Sequence, residues 1–341
     1  MIKKHPYLTT SLLLLAAAIL SVTVGSVTIP PGTLARILTQ WLPWANGVSD
    51  WPAAFEAIVL DIRLPHMVLV ALTGAALSSS GAAYQGLFRN PLADPYLIGV
   101  ASGAGLGAVA AMTIRWPVEL AGYMLIPAAA FLGAILTVAV VYSMARVGGM
   151  VPLTTLILAG VAVSAFASAV TSYLMLESDQ QIHRAVSFLL GGTPMSGWLP
   201  VAASLPYMAA GMLALTLSGH MLNVLQFGEE EARQMGLNVE RAKLIIIVTA
   251  SLTTAVAVAF SGIIGFIGLT VPHIIRMVWG PNYRRLIPLS ILGGAALLLV
   301  ADLAARVVMS PSTLPVGIVT AIGGAPFFLW ILRRAKREVF W

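Results

Sequence analysis

Asp302 and Arg306 are the first residues in this sequence whose types and spacing suggest chemistry. They are an acid and a base four positions apart inside the apolar run Ile291 to Val308, and so share one face if the run is helical. Ionisable groups inside a long apolar run are functional candidates by default, and two chemistries fit: an ion or proton relay, or an intrahelical ion pair near one interface. The i, i+4 spacing favours the ion pair, because a gradient-driven pump needs more carboxylates at depth than this chain supplies.

Other reactive constellations are missing. There is no Gly-x4-Gly-Lys-Ser/Thr sequence, and none of Lys3, Lys4, Lys243 and Lys336 follows a glycine, so no P-loop cradles a nucleotide. His5, His66, His183, His220 and His273 are scattered without a His-x3-His pair, and the chain has no cysteine, which leaves metal-centre and thiol chemistry without support. Isolated histidines such as His66, His183 and His273 read as interfacial or hydrogen-bonded groups rather than haem ligands. An embedded enzyme is not indicated.

One charged segment stands apart. From Gly228 to Arg241 the chain reads Gly-Glu-Glu-Glu-Ala-Arg-Gln-Met-Gly-Leu-Asn-Val-Glu-Arg, helix formers punctuated by glycine. A solvated connector is the bland account. Its helical content favours a docking surface over a tether.

These residues must be positioned by elements suited to a bilayer. The 341 residues are 59% hydrophobic and 9% charged, against roughly 45–50% apolar and about 25% charged in soluble domains. A soluble enzyme is excluded. Apolar segments fall near 12–29, 64–87, 95–113, 121–145, 152–176, 198–222, 243–260, 262–279, 286–305 and 314–332, each near the roughly 17–25 residues of a span. The expectation is an all-α polytopic membrane protein with about ten transmembrane helices. The first run also suits a signal peptide, but its length favours a retained span. Residues 30–61 read as an external loop with Trp41, Trp44 and Trp51 as interfacial anchors. Internal Gly and Pro predict short or broken helices near 95–113 and 262–279.

Ten spans place both termini on one side. With the N-terminus in the cytoplasm, 14 of the 19 Lys and Arg fall inside, leaving Arg36, Arg63, Arg115, Arg184 and Arg306 outside. The formal charge of +6 is then explained by topology, and nucleic-acid binding loses its motive. Gly99-x3-Gly103-x3-Gly107 is a small-residue packing face. Ser80-Gly81-x9-Pro91 is echoed by Ser261-Gly262-x9-Pro272 in a span of opposite direction, which suggests an inverted-topology repeat.

Three stretches together resemble a known family. Arg63-Leu-Pro-His66 with the run Leu72 to Pro95, then Gly265 to Arg276, then Leu314 to Pro326, are similar to the permease subunits of bacterial ABC importers for iron-siderophores, haem and vitamin B12. The Gly228–Gly236 segment resembles that family's coupling helices. The resemblance covers nearly the whole chain, as one transmembrane permease domain over 1–341 with halves of about 1–197 and 198–341 and a coupling loop of about 223–242.

The resemblance implies a subunit in the bacterial cytoplasmic (inner) membrane that translocates an iron chelate of siderophore or haem type, with cobalamin as the alternative. Its partners would be a second permease subunit, identical or paralogous, two ATP-binding subunits, an extracytoplasmic substrate-binding protein and membrane lipid. No cofactor is implied in this chain itself; ATP and Mg would be bound by the partner ATPase. Residue by residue, Asn90, Leu92, Leu153 and Thr154 match the cytoplasmic gates. Gly228, Glu230, Glu231, Ala232, Arg233 and Gly236 match the ATPase-coupling stretch, with Ala232 and Gly236 small enough to seat in a groove. Arg63, His66 and Arg306 match positions that dock the binding protein, His66 standing where relatives often carry Arg. An ion-coupled secondary transporter would also have an inverted repeat, but the sparse carboxylates and the coupling-like loop count against it.

Overall fold

The computed structural model describes residues 4–25, 27–40, 51–114, 124–177, 181–192, 197–310 and 312–339. The helices are α1 (Pro6–Thr23), α2 (Pro31–Thr39), α3 (Ala53–Ala57), α4 (Leu64–Leu87), α5 (Val100–Thr113), α6 (Leu125–Ala145) and α7 (Leu153–Leu176). They continue as α8 (Ile182–Leu189), α9 (Trp198–Leu217), α10 (Gly219–Leu225), α11 (Glu229–Gln234), α12 (Val239–Ser261), α13 (Ile267–Trp279), α14 (Tyr283–Val308) and α15 (Val316–Val339). A π-helical turn, Ile58–Arg63, leads into α4, and a 3-10 turn, Pro95–Ile98, precedes α5.

The ten expected spans fall on α1, α4, α5, α6, α7, α9, α12, α13, α14 and α15. Among the described residues six of these are both long and apolar enough to cross a bilayer, namely α1, α6, α7, α9, α12 and α14. The first span begins earlier than its hydropathy suggested: Pro6 starts the helix at a position where a missing N–H costs nothing, and the chain turns extended at Val24. The 30–61 stretch is helical rather than looped where it is described. Leu34 and Ile37, three apart on α2, close a small core with Val22, Ile29 and Val59. Trp41 and Trp44 lie outside the described residues; Trp51 lies under the Arg36 guanidinium at 5.3 Å.

The core is α4. From Thr73 to Leu87 every residue is buried, as expected of a helix surrounded by protein rather than lipid. That setting explains its polar content, since Ser78, Ser79, Ser80 and Gln85 would be unfavourable on a lipid-facing span. Glycines allow the packing: a Cβ on Gly74 would sit 2.3 Å from the Gly294 carbonyl of α14. On the other side, Gly103 and Gly107 of the small-residue face meet Gly133 and Ala129 of α6 at the backbone. By contrast α1, α6 and α7 expose Leu12, Leu15, Leu132, Leu136, Leu158 and Phe166 outward. Rows of exposed leucine are what a hydrocarbon solvent asks for.

Two long helices, α4 and α12, are each followed by a break and a short helix, the 14-residue α5 and the 13-residue α13. The breaks meet each other. Tyr96 of the 3-10 turn donates its hydroxyl to Ile264 O at 2.8 Å and accepts from Ile264 N at 3.2 Å. Ile263 N bonds Phe188 O of α8 at 3.1 Å, so the backbone freed between α12 and α13 is satisfied within protein. Ser80-Gly81 and Ser261-Gly262 occupy different settings, the first inside α4 and the second at the end of α12, where Gly262 adopts a φ of +72°.

Candidate functional site

The charged segment folds as a short helix on a turn. Gly228, at φ +120°, starts α11, and Gly236, at φ +87°, ends it, conformations that glycine reaches without a Cβ penalty. Asn238 then caps α12 by accepting from Arg241 N at 3.1 Å. Glu230, Glu231, Arg233 and Gly236 face outward, with exposed Phe227 and Met235 on either side of α11. Ala232 does not. It is 0% exposed and packs inside its own chain, so its small size lets α11 lie close to α12 instead of offering a surface to a partner.

Beneath α11 lies a buried ammonium group. Lys243 of α12 is 3% exposed and donates to Glu229 Oε2 at 2.6 Å, Glu240 Oε1 at 3.3 Å and the Val151 carbonyl at 3.3 Å. Glu240 Oε2 accepts from Val151 N at 3.2 Å. Arg233 adds longer contacts to Glu229, Glu230 and Glu240 at 3.9, 3.7 and 3.8 Å. A buried ammonium is tolerable only with its donors matched, and here three N–H groups have three acceptors.

The gate candidates lie on two elements. Asn90 is exposed and turns the chain after α4, its side chain accepting from Leu92 N at 2.9 Å. Leu153 and Thr154 are the first residues of α7; Thr154 is exposed and Leu153 half-buried. The turn before them, Arg146 to Pro152, contains Gly148 and Gly149 at positive φ and a Val147–Met150 bridge.

At the other end of α4 the predicted docking residues form one cluster around the end of α1. Arg306 Nε donates to Asp302 Oδ2 at 2.9 Å, the pair expected from the sequence spacing. Its Nη2 reaches Ser21 O at 3.1 Å and Ser21 Oγ at 2.9 Å. Arg63 is 8% exposed and donates to Val22 O at 2.6 Å, to Thr23 O at 3.3 Å and to Val27 O. Two guanidiniums therefore satisfy carbonyls at the α1 C-terminus, where intrahelical donors run out. His66 Nε2 lies 2.9 Å from Asp302 Oδ1, with a third of its side chain exposed. A cavity of about 120 Å³ opens beside this cluster, lined also by Thr73, Ser261 and Leu298.

Sequence reading missed three things here. Lys243 counted only toward topology, though Glu240 three residues earlier was a signal for pairing. Tyr96 and the Gln85–Arg276 bond, 2.9 Å, carried none, because both act across helices far apart in sequence.

A helical bundle with one central buried helix, two long helices each followed by a break and a short helix, and an exposed charged helix over a buried Lys narrows the class, and the comparison with known families decides it: residues 13–334 match the FecCD transport family. The chain belongs to that family. It is a permease subunit of an ABC importer, a multi-pass membrane transport protein. Over 326 residues, 91% of this chain and 86% of the relative, it is 43% identical to the cobalamin import system permease protein BtuC of Halobacterium salinarum. It is 40% identical over 302 residues to the hemin transport system permease protein HmuU of Yersinia pestis, covering 86% of this chain and 88% of that one. With the Fe(3+) dicitrate transport system permease protein FecD of Escherichia coli it shares 37% over 298 residues, 86% and 92% of the two chains. A solved metal-chelate type ABC transporter in an inward-facing conformation superposes with a TM-score of 0.79 at 28% identity, covering 96% of this chain and 97% of that one.

Proposed function

We propose that this FecCD-family permease carries a large metal chelate inward across the cytoplasmic membrane, with both termini in the cytoplasm, as one of two permease subunits acting with two ATP-binding subunits and an extracytoplasmic binding protein. The observation that carries this reading is α11, a charged helix held outward by two glycines at positive φ on the face where most Lys and Arg fall. Glu230, Glu231 and Arg233 meet the ATP-binding subunit. Asn90 with Leu92, and Leu153 with Thr154, close the cytoplasmic side. Arg306 and His66 form the outer contact with the binding protein, while Arg63 holds the end of α1 that shapes it.

The cargo is an iron complex of siderophore or haem type, in keeping with relatives named for hemin and ferric dicitrate transport. The second reading, cobalamin, is favoured by the 43% identity to a cobalamin permease. Uptake into proteoliposomes holding the assembled importer, with labelled ferric siderophore, haem and cyanocobalamin offered in parallel, separates them. Uptake driven by a proton gradient through this chain alone, without any ATP-binding subunit, would overturn the reading.

A further inference from the structure

The contacts of Lys243 join two places that the proposed function treats separately. Glu229 opens α11, Glu240 and Lys243 belong to the first turns of α12, and Val151 stands two residues ahead of Leu153. Val151 is held by both of its backbone groups: its N–H donates to Glu240, and its carbonyl accepts from Lys243, 92 residues away. A residue held at N–H and C=O alike resists sliding and rotation against its partner. Glu240 supplies one oxygen to each side of that grip, and the short 2.6 Å bond from Lys243 to Glu229 extends it to α11. Val151 and Lys243 are buried, which strengthens the bonds they make, while Glu229 and Glu240 keep about a third of their side chains exposed.

We propose that Lys243 and Glu240 are a clamp that makes α11 and the start of α7 one rigid body, so that displacement of α11 by its partner moves Leu153 and Thr154 directly. Both are positioning residues. The turn before Val151, with Gly148 and Gly149 at positive φ, is the compliant element that lets the start of α7 move without dragging α6. This inference rests on the proposed docking of α11 and deepens it by naming the link from that surface to the gate.

The test uses the assembled importer in proteoliposomes, loaded with whichever of the three labelled chelates it imports. Lys243→Met keeps the length of the side chain and removes the ammonium. The expected result is ATP hydrolysis that continues while chelate imported per ATP falls by about two- to thirtyfold, the range over which single residues in a coupled network act. Lys243→Arg should recover part of the ratio. If Lys243→Met fails to assemble, Glu240→Gln carries the same reading, since it weakens the grip while keeping the shape.

A second measurement does not depend on transport. The chain has no cysteine, so Phe227→Cys and Thr154→Cys place one pair of spin labels per copy beside α11 and at the head of α7, with the labelled chain diluted into unlabelled copies where the second permease is identical. The distance between them should stay constant when nucleotide binds the complex, and should shift or broaden with nucleotide in the Lys243→Met background. A wild-type distance that changes with nucleotide, or hydrolysis and import falling together in proportion, overturns the clamp. Failure of the docking reading looks different: ATP-binding subunits would then remain bound after charge reversal at the exposed Glu230, which touches neither Lys243 nor Glu240.

Discussion

Gly81 of α4 lies against the carbonyl of Gly268 at the head of α13, so close that a Cβ on Gly81 would stand 1.9 Å from that oxygen. This contact fixes how near the short broken helix approaches the central one. Gly81→Val should therefore force α13 away and lower stability by about 1–3 kcal/mol or more, as overpacking does in tight cores. Thermal unfolding in detergent checks it. Gly32→Ala, on α2 with no atom within 4 Å of the added methyl, is the matched control and should be neutral or slightly stabilising.

Asp302 is shared by Arg306 and His66, and its side chain is only 8% exposed. Asp302→Asn removes the charge that compensates Arg306, and the expected loss is about 3–5 kcal/mol, typical of breaking a buried pair from one side. Replacing both partners, Asp302→Asn with Arg306→Met, should cost less than the two single changes summed. A strictly additive double mutant would remove the assignment of a coupled pair. Affinity for the binding protein, measured on the folded variants, should fall with Arg306→Met, since Arg306 also holds Ser21 at the end of α1.

Glu230 and Arg233 point outward from α11 with much of their side chains exposed. Reversing the outermost charge, Glu230→Lys, should leave stability within about 0.5 kcal/mol, as surface substitutions do, while reducing co-purification of the ATP-binding subunits. Retention of those subunits at wild-type stoichiometry would count against α11 as the contact.

Tyr96 serves both backbone groups of Ile264. Tyr96→Phe leaves a buried N–H and C=O without that partner, and the expected cost is about 1–3 kcal/mol. Hydrogen exchange should accelerate over residues 262–266, with α14 unaffected. Unchanged protection there would show that the break is held by other bonds.

Much of this protein was legible in the order of its residues. Ten apolar segments, the breaks near Gly99 and Gly262 and the Asp302–Arg306 pair depend on local spacing, and hydropathy and helical periodicity are local properties. The charged α11 with its two glycines was visible for the same reason. The three stretches that resemble the permeases fixed the family before any helix was placed, and residues 13–334 bear them out.

Tertiary structure decided what those side chains face. A sequence of exposed-looking arginines gave no sign that Arg63 and Arg306 would turn onto the end of α1, since the unpaired carbonyls that attract them arise only where that helix stops. Nor could spacing show Ala232 facing inward or Lys243 reaching Val151 across 92 residues. Those choices follow from burial. Once α4 is enclosed and α11 seated on α12, each polar group left inside must find a partner wherever the fold has brought one, and sequence distance no longer matters.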